Sequence, residues 1–162
     1  MMSDDFEEPL RELEILMEGV EVSWEEPYTQ WVYKLLADLG VSWYSTSITF
    51  CSDMYIQALN RDWRSKDEPT DVLSFEQDPQ EHPQYSLHQK GFALYGDLVI
   101  SLDTLSINSK YFQVREQEEL KRITIHGLLH LLGWDHHTND ISEPMLVKQE
   151  MLLESYIKVD IF

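Results

Sequence analysis

The sequence is poor in cysteine and in basic residues. Its single cysteine, Cys51, excludes an intrachain disulfide and any CxxC zinc pair, so a bound transition metal would need histidine for most of its ligands. Lys and Arg number 12 against 30 Asp and Glu, which gives a net charge of −18. No apolar run approaches the ~20 residues that cross a bilayer, and no basic-then-apolar leader is present, so we expect a cytoplasmic protein.

The negative charge is concentrated at the N-terminus. Residues 1–26 contain ten acidic residues and one arginine, a net charge of −9, which is half of the total. We therefore predict a solvated acidic extension over residues 1–19. Residues 20–162 are numerous enough to bury a core and are predicted to form a single domain.

Strand-like and helix-like segments alternate from residue 20, with the helices weighted toward the end, which predicts an α+β fold. Residues 78–91 lack periodicity and contain two prolines, so we expect an exposed, mobile loop there. The predicted strands are 20–24, 43–52, 70–77 and 96–103, and the predicted helices are 27–39, 54–63, 104–112, 116–132 and 142–156.

The stretch HGLLHLLGWDHH, residues 126–137, contains four of the six histidines. His126 and His130 are four residues apart on the predicted helix, so their rings project from one face. Gly133 is predicted to end the helix, after which the turn returns His136 toward the same point. Three imidazoles in this arrangement suit zinc, which keeps its fourth position for water in catalytic sites.

Two neighbouring residues leave alternatives open. His137 could replace His136 as a ligand, although the spacing favours His136. Asp135 could orient a ligand or could be a surface turn residue.

The spacing of the three histidines is shared with metzincin proteases, whose motif is HExxHxxGxxH. Gly127 occupies the position of their general base, which argues against a protease of that type. A helical glycine costs about 1 kcal/mol relative to alanine, so we expect the missing side chain of Gly127 to make room for another group.

A second segment, LNRDWRSKDEPTDVLSF (59–75), places Arg61, Arg64 and Lys66 close together. A guanidinium can bind phosphate through two parallel hydrogen bonds, so this cluster is a candidate phosphate clamp. Taken alone, the cluster is more typical of a solvated basic loop.

Together, these segments resemble the YbeY endoribonucleases. The stretch at 126–137 is similar to that family's HGxLHLxGYDH signature, with Trp134 in place of tyrosine, and residues 59–75 are similar to a second family motif. GDLVIS (96–101) and MLVKQEMLL (145–153) are similar to two more. The resemblance runs from about residue 20 to the end.

The resemblance implies a small mixed β-sheet packed against helices, with the metal site on a C-terminal helix and the following turn. It assigns one Zn²⁺ per chain to His126, His130 and His136, and it assigns the functional arginine to Arg64. These four residues would form the catalytic site, and Gly127 would leave space for a phosphodiester beside the metal. Zinc would lower the pKa of water from 15.7 toward ~7, or would polarise the phosphoryl oxygen while the RNA 2′-hydroxyl attacks.

The implied activity is single-strand-specific RNA cleavage in ribosomal RNA maturation, including 16S rRNA 3′ end processing, and in ribosome quality control. The expected partners are single-stranded and ribosomal RNA and the ribosome or its small-subunit proteins, with no DNA and no membrane. Two alternatives remain: a zinc hydrolase of another substrate, such as a metzincin-like peptidase, and a non-enzymatic ribosome-binding module that keeps zinc for structure.

Overall fold

The computed structural model describes residues 8–78 and 92–162, and within these ranges the chain forms four strands and five helices. The strands are β1 (Arg11–Glu18), β2 (Val41–Cys51), β3 (Val72–Glu76) and β4 (Phe92–Ser101). The helices are α1 (Glu25–Asp38), α2 (Asp53–Arg64), α3 (Leu102–Phe112), α4 (Glu116–Leu131) and α5 (Pro144–Tyr156). The strand order is β1-β2-β4-β3, with β3 antiparallel to β4 and the other pairs parallel. The predicted α+β fold with a mixed sheet is confirmed.

The two faces of the sheet carry different cores because successive strand residues point to opposite sides. Leu98 and Ile100 of β4 belong to the larger core, which also contains buried residues of α1, α4 and α5. Val99, between them, belongs to a smaller cluster with Ile56 of α2 and Leu73 of β3. Helix α2 therefore lies on one face of the sheet, while α4 lies on the other.

The N-terminal strand differs from the sequence prediction. Residues 20–24 form no strand, and β1 lies instead at Arg11–Glu18, paired in parallel with β2. Leu13, Ile15 and Met17 pack against the larger core, whereas the residues that alternate with them, three of which are glutamates, are exposed. The acidic residues concealed this period-two pattern, so residues 11–18 belong to the sheet rather than to a solvated extension.

The remaining predicted elements are present, and their ends either coincide with the predicted ones or differ by at most four residues. The predicted loop at 78–91 lies, apart from residue 78, outside the described residues. Within the described ranges, no helix combines the length and the apolar character needed to span a membrane.

Gly127 allows α4 to pack closely on the sheet. A Cβ at this position would lie 2.8 Å from Leu98 Cδ2, and Leu98 is completely buried. The expectation that Gly127 leaves space for a phosphodiester is therefore wrong, because the missing side chain would point into the core. A glutamate here would collide with β4.

Gly127→Ala tests this packing by the sign of its effect on stability. At a solvent-facing helical site, alanine would raise the free energy of unfolding by about 1 kcal/mol. Overpacking in a core costs about 1–3 kcal/mol, so we expect net destabilisation in urea denaturation. The loss of stability caused by Gly127→Ala should be smaller when it is measured in a protein that already carries Leu98→Ala. A more stable Gly127→Ala protein would contradict the close contact.

Candidate metal centre

The end of α4 positions the histidine cluster. Gly133 adopts a left-handed conformation (φ 94°), Trp134 N–H donates to the Leu129 carbonyl, and Gly133 N–H donates to the His130 carbonyl. These two bonds form a Schellman motif, which ends a helix and reverses the chain. The chain returns over the last turn of α4, which brings His136 beside the two helical histidines.

The three predicted ligands meet in the structure. One ring nitrogen from each of His126, His130 and His136 lies within 4.8 Å of the others, and the three rings contact one another pairwise. A metal ion could be held by this cluster. His137 is exposed and lies outside it.

Each ring is oriented through its Nδ1 atom. His126 Nδ1 lies 2.6 Å from Gln149 Oε1, His130 Nδ1 lies 3.1 Å from the Trp134 carbonyl, and His136 Nδ1 lies 2.8 Å from the Thr138 carbonyl. Because these oxygens only accept hydrogen bonds, each Nδ1 must carry the proton. In the neutral rings, Nε2 then has a lone pair available for a metal.

Two of these lone pairs face each other, since the Nε2 atoms of His126 and His130 are 3.1 Å apart. Two acceptors at this distance repel unless a proton or a cation lies between them. Nitrogens bound at ~2.0–2.1 Å to a tetrahedral zinc are about 3.3 Å apart, so the spacing fits a shared metal ion.

Burial favours the neutral, metal-binding form of the two helical histidines. Desolvation lowers the pKa of His126, assisted by the nearby His136 and opposed by the hydrogen bond to Gln149. Desolvation also lowers the pKa of His130, and the charges of the other two histidines add to this effect. Both rings are therefore ready to bind a metal without first losing a proton at neutral pH.

Gln149 is a residue of the candidate site that the sequence analysis did not identify. It is buried on α5, and its Nε2 donates to Glu150 Oε1 at 3.2 Å. A carboxylate only accepts, so this bond turns the amide oxygen toward His126. The sequence did contain a signal, because Gln149 interrupts the buried stripe that Met145, Leu153 and Tyr156 form on α5.

Asp135 does not contact a ring nitrogen of the cluster. Its Oδ1 accepts a hydrogen bond of 2.8 Å from the backbone N–H of His136. Asp135 thus stabilises the turn that carries His136.

Arg64 lines a cavity together with two histidines of the cluster. The cavity has a volume of about 480 Å³ and is formed by Arg64, Val72, Leu73, Ser74, Glu76, His126 and His130. Arg64 is the last residue of α2, and its Nη2 donates to the Ser74 carbonyl at 2.7 Å. Its guanidinium also lies 5.6 Å from the centre of the Phe75 ring. These contacts hold the guanidinium at the edge of β3, beside the cavity that His126 and His130 also line.

The fold and the site together define a class of protein. Arg64 and the imidazoles of His126 and His130 line one cavity on an α+β scaffold, and His136 completes the cluster of three imidazoles. This arrangement is typical of metal-dependent hydrolases that act on phosphorylated substrates.

Comparison with known proteins identifies the family within this class. The sequence model of the family described as Endoribonuclease YbeY matches residues 16–157. The chain is 44% identical to Endoribonuclease YbeY of Treponema denticola over 131 residues, which cover 81% of this chain and 83% of that protein. It is 38% identical to the protein of the same name from Borreliella burgdorferi strain ZS7, over 91% of this chain and 97% of that protein. The chain belongs to the Endoribonuclease YbeY family.

A solved structure agrees with this assignment. The solution structure of TM1509 from Thermotoga maritima matches with a TM-score of 0.61 and 26% sequence identity. The match covers 88% of this chain and 87% of that one. The similarity therefore extends over most of the fold.

Metal affinity should fall most when a histidine of the cluster is removed and less when the hydrogen-bond partner of such a histidine is removed. We expect His126→Ala to remove most bound metal and Gln149→Leu to weaken binding by about 10–100-fold, the usual effect of losing a partner of a ligand. His137→Ala is the matched control and should bind as the wild type does. Competition with a chromogenic chelator measures all three. Wild-type affinity in Gln149→Leu would show that the hydrogen bond does not orient the ring.

Proposed function

We propose that this protein is a zinc-dependent endoribonuclease that cleaves single-stranded RNA. The observation that carries the proposal is the cavity that Arg64 lines with His126 and His130, two members of the three-histidine cluster, in a chain of this family. The names of the relatives support RNA as the substrate.

We propose His126, His130 and His136 as the ligands of one Zn²⁺ per chain. All three offer nitrogen, and zinc accepts three nitrogen ligands while keeping a fourth position open in catalytic sites. When bound, zinc supplies Lewis acidity, which lowers the pKa of water and polarises a phosphoryl oxygen. A closed structural site usually has four protein ligands, so a set of three favours the enzyme over a purely structural role.

Arg64 is proposed to bind the scissile phosphate and to stabilise the charge that develops on it. A guanidinium has five N–H donors, and the bond to the Ser74 carbonyl positions the group while using one of them. Within the described residues, Arg64 forms no ion pair. Its positive charge is therefore not neutralised by a described carboxylate.

The biological setting is proposed from the family resemblance. We infer maturation of ribosomal RNA, including the 3′ end of 16S rRNA, and ribosome quality control in the cytoplasm. The partners would be ribosomal RNA and the ribosome or its small-subunit proteins. A peptidase is disfavoured because a glutamate at Gly127 would collide with Leu98.

An assay with three substrates tests the proposed activity. Zinc-loaded protein should cleave a single-stranded oligoribonucleotide, leave an RNA duplex largely intact and leave casein intact. A chelator should abolish the cleavage, and added Zn²⁺ should restore it. Cleavage of casein, or RNA cleavage that survives complete metal removal, would contradict the proposal.

Arg64→Ala should keep the fold and the metal but lose about 10²–10³-fold in RNA cleavage rate, the usual cost of removing one donor to a developing charge. Arg64→Lys should recover little, because an ammonium cannot reproduce the planar fork of a guanidinium. Arg61→Ala is the matched control, since Arg61 lies on the same helix, bonds Asp62 and does not line the cavity. Equal losses in the two alanine variants would indicate a general charge effect.

A further inference from the structure

Trp63 is an exposed aromatic residue beside the candidate site. Its side chain lies at the end of α2, directly before Arg64, and it is 69% exposed. Burying a tryptophan is strongly favourable, so leaving one on the surface gives up stability. The surrounding residues indicate what this ring does.

Trp63 is connected to the cavity through a second aromatic ring. It packs edge-to-face against Phe75, with the ring centres 6.2 Å apart. The Arg64 guanidinium lies 5.6 Å from the centre of the same ring. Ser74 and Glu76, on either side of Phe75, line the cavity with His126 and His130. The indole and the guanidinium thus contact the same phenyl ring.

The edge of β3 separates the indole from the metal cluster. Leu73 and Phe75 pack on the α2 face, while Ser74 faces α4 and lies 3.5 Å from the Gly127 carbonyl. Arg64 spans the two sides by bonding the Ser74 carbonyl. β3 ends the strand order within the described sheet. A nucleic acid strand that crosses this edge could therefore place a phosphate at Arg64 and an adjacent base on Trp63.

We propose that Trp63 is the stacking platform for an unpaired base next to the scissile phosphate, an inference that rests on the proposed RNA cleavage. Proteins recognise single-stranded RNA by stacking splayed bases on aromatic side chains. Such stacking tolerates any base, because every base has a π-face. A paired base already stacks within its duplex and is not available to the indole. Trp63 would therefore make the site selective for single strands.

Other exposed aromatic residues provide a matched control. Tyr111 on α3 is 80% exposed, and its ring contacts Phe112 rather than a residue of the cavity. If surface aromatics bind RNA without regard to position, Tyr111 and Trp63 should contribute alike. If position matters, Trp63 alone should contribute.

The test compares the zinc-loaded Trp63→Ala, Trp63→Leu, Trp63→Phe and Tyr111→Ala proteins on one single-stranded oligoribonucleotide. Removing an aromatic ring on which a base stacks lowers affinity by about 10-fold. We therefore expect KM to rise about 10-fold in Trp63→Ala and Trp63→Leu, with kcat nearly unchanged. Trp63→Leu keeps an apolar contact with Phe75, which separates lost stacking from lost folding. Trp63→Phe should stay close to the wild type, and Tyr111→Ala should match it.

A set of oligonucleotides with a single abasic site at successive positions identifies the stacked base. At one position near the cleavage point, the missing base should weaken wild-type binding about as much as Trp63→Ala weakens binding of the intact strand. On the oligonucleotide that lacks this base, Trp63→Ala and the wild type should bind equally. Fluorescence anisotropy measures this coupling independently of cleavage. Equal binding by Trp63→Ala and the wild type, or a loss that persists on every abasic strand, would overturn the stacking role. A wild type that binds RNA without cleaving it would overturn the proposed function, while the binding data would still decide the role of Trp63.

Discussion

The close approach of α4 to the sheet at Gly127 determines where the groups of the site lie. Because Gly127 has no side chain, α4 packs directly on Leu98. His126, the residue before Gly127, is thereby held close to the sheet. Helix α5 then fixes the outer side of α4, since Glu150 accepts from Arg122 Nε at 3.0 Å and Gln149 contacts His126. The cavity between α4 and β3 follows from this packing.

The site is largely organised by backbone carbonyl groups and an amide. The Trp134 and Thr138 carbonyls orient two imidazoles, and the Ser74 carbonyl holds Arg64. A carbonyl cannot lose or gain a proton near neutral pH, so these anchors stay constant while the imidazoles themselves can titrate. The third imidazole depends on Gln149, whose orientation depends in turn on Glu150. The geometry of the histidine cluster is thereby linked to the packing of α5.

Local spacing predicted the parts of the site that depend on local structure. The four-residue interval between His126 and His130 and the glycine at 133 are properties of one helix end, so the sequence was sufficient to predict the meeting of three rings. Contacts between distant segments were harder to predict. The partner of His126 lies 23 residues away on α5, and the neighbour of Gly127 is on β4. The β1 strand was missed because its glutamates were interpreted as a sign of solvation, although they occupy only its exposed side.

The order of the strands explains how so acidic a protein can accept an anionic substrate at the proposed site. The glutamates of β1 lie at one end of the order β1-β2-β4-β3, and the cavity lies beside β3 at the other. Three spacings of ~4.8 Å separate these strands by about 14 Å. The Debye length is about 8 Å at physiological ionic strength, so exposed charges at that separation are largely screened. The proposed phosphate site at Arg64 therefore meets little opposition from the β1 glutamates, and the charge that a substrate would meet depends on Arg64 and on Glu76, which lines the same cavity, more than on the net charge of the chain.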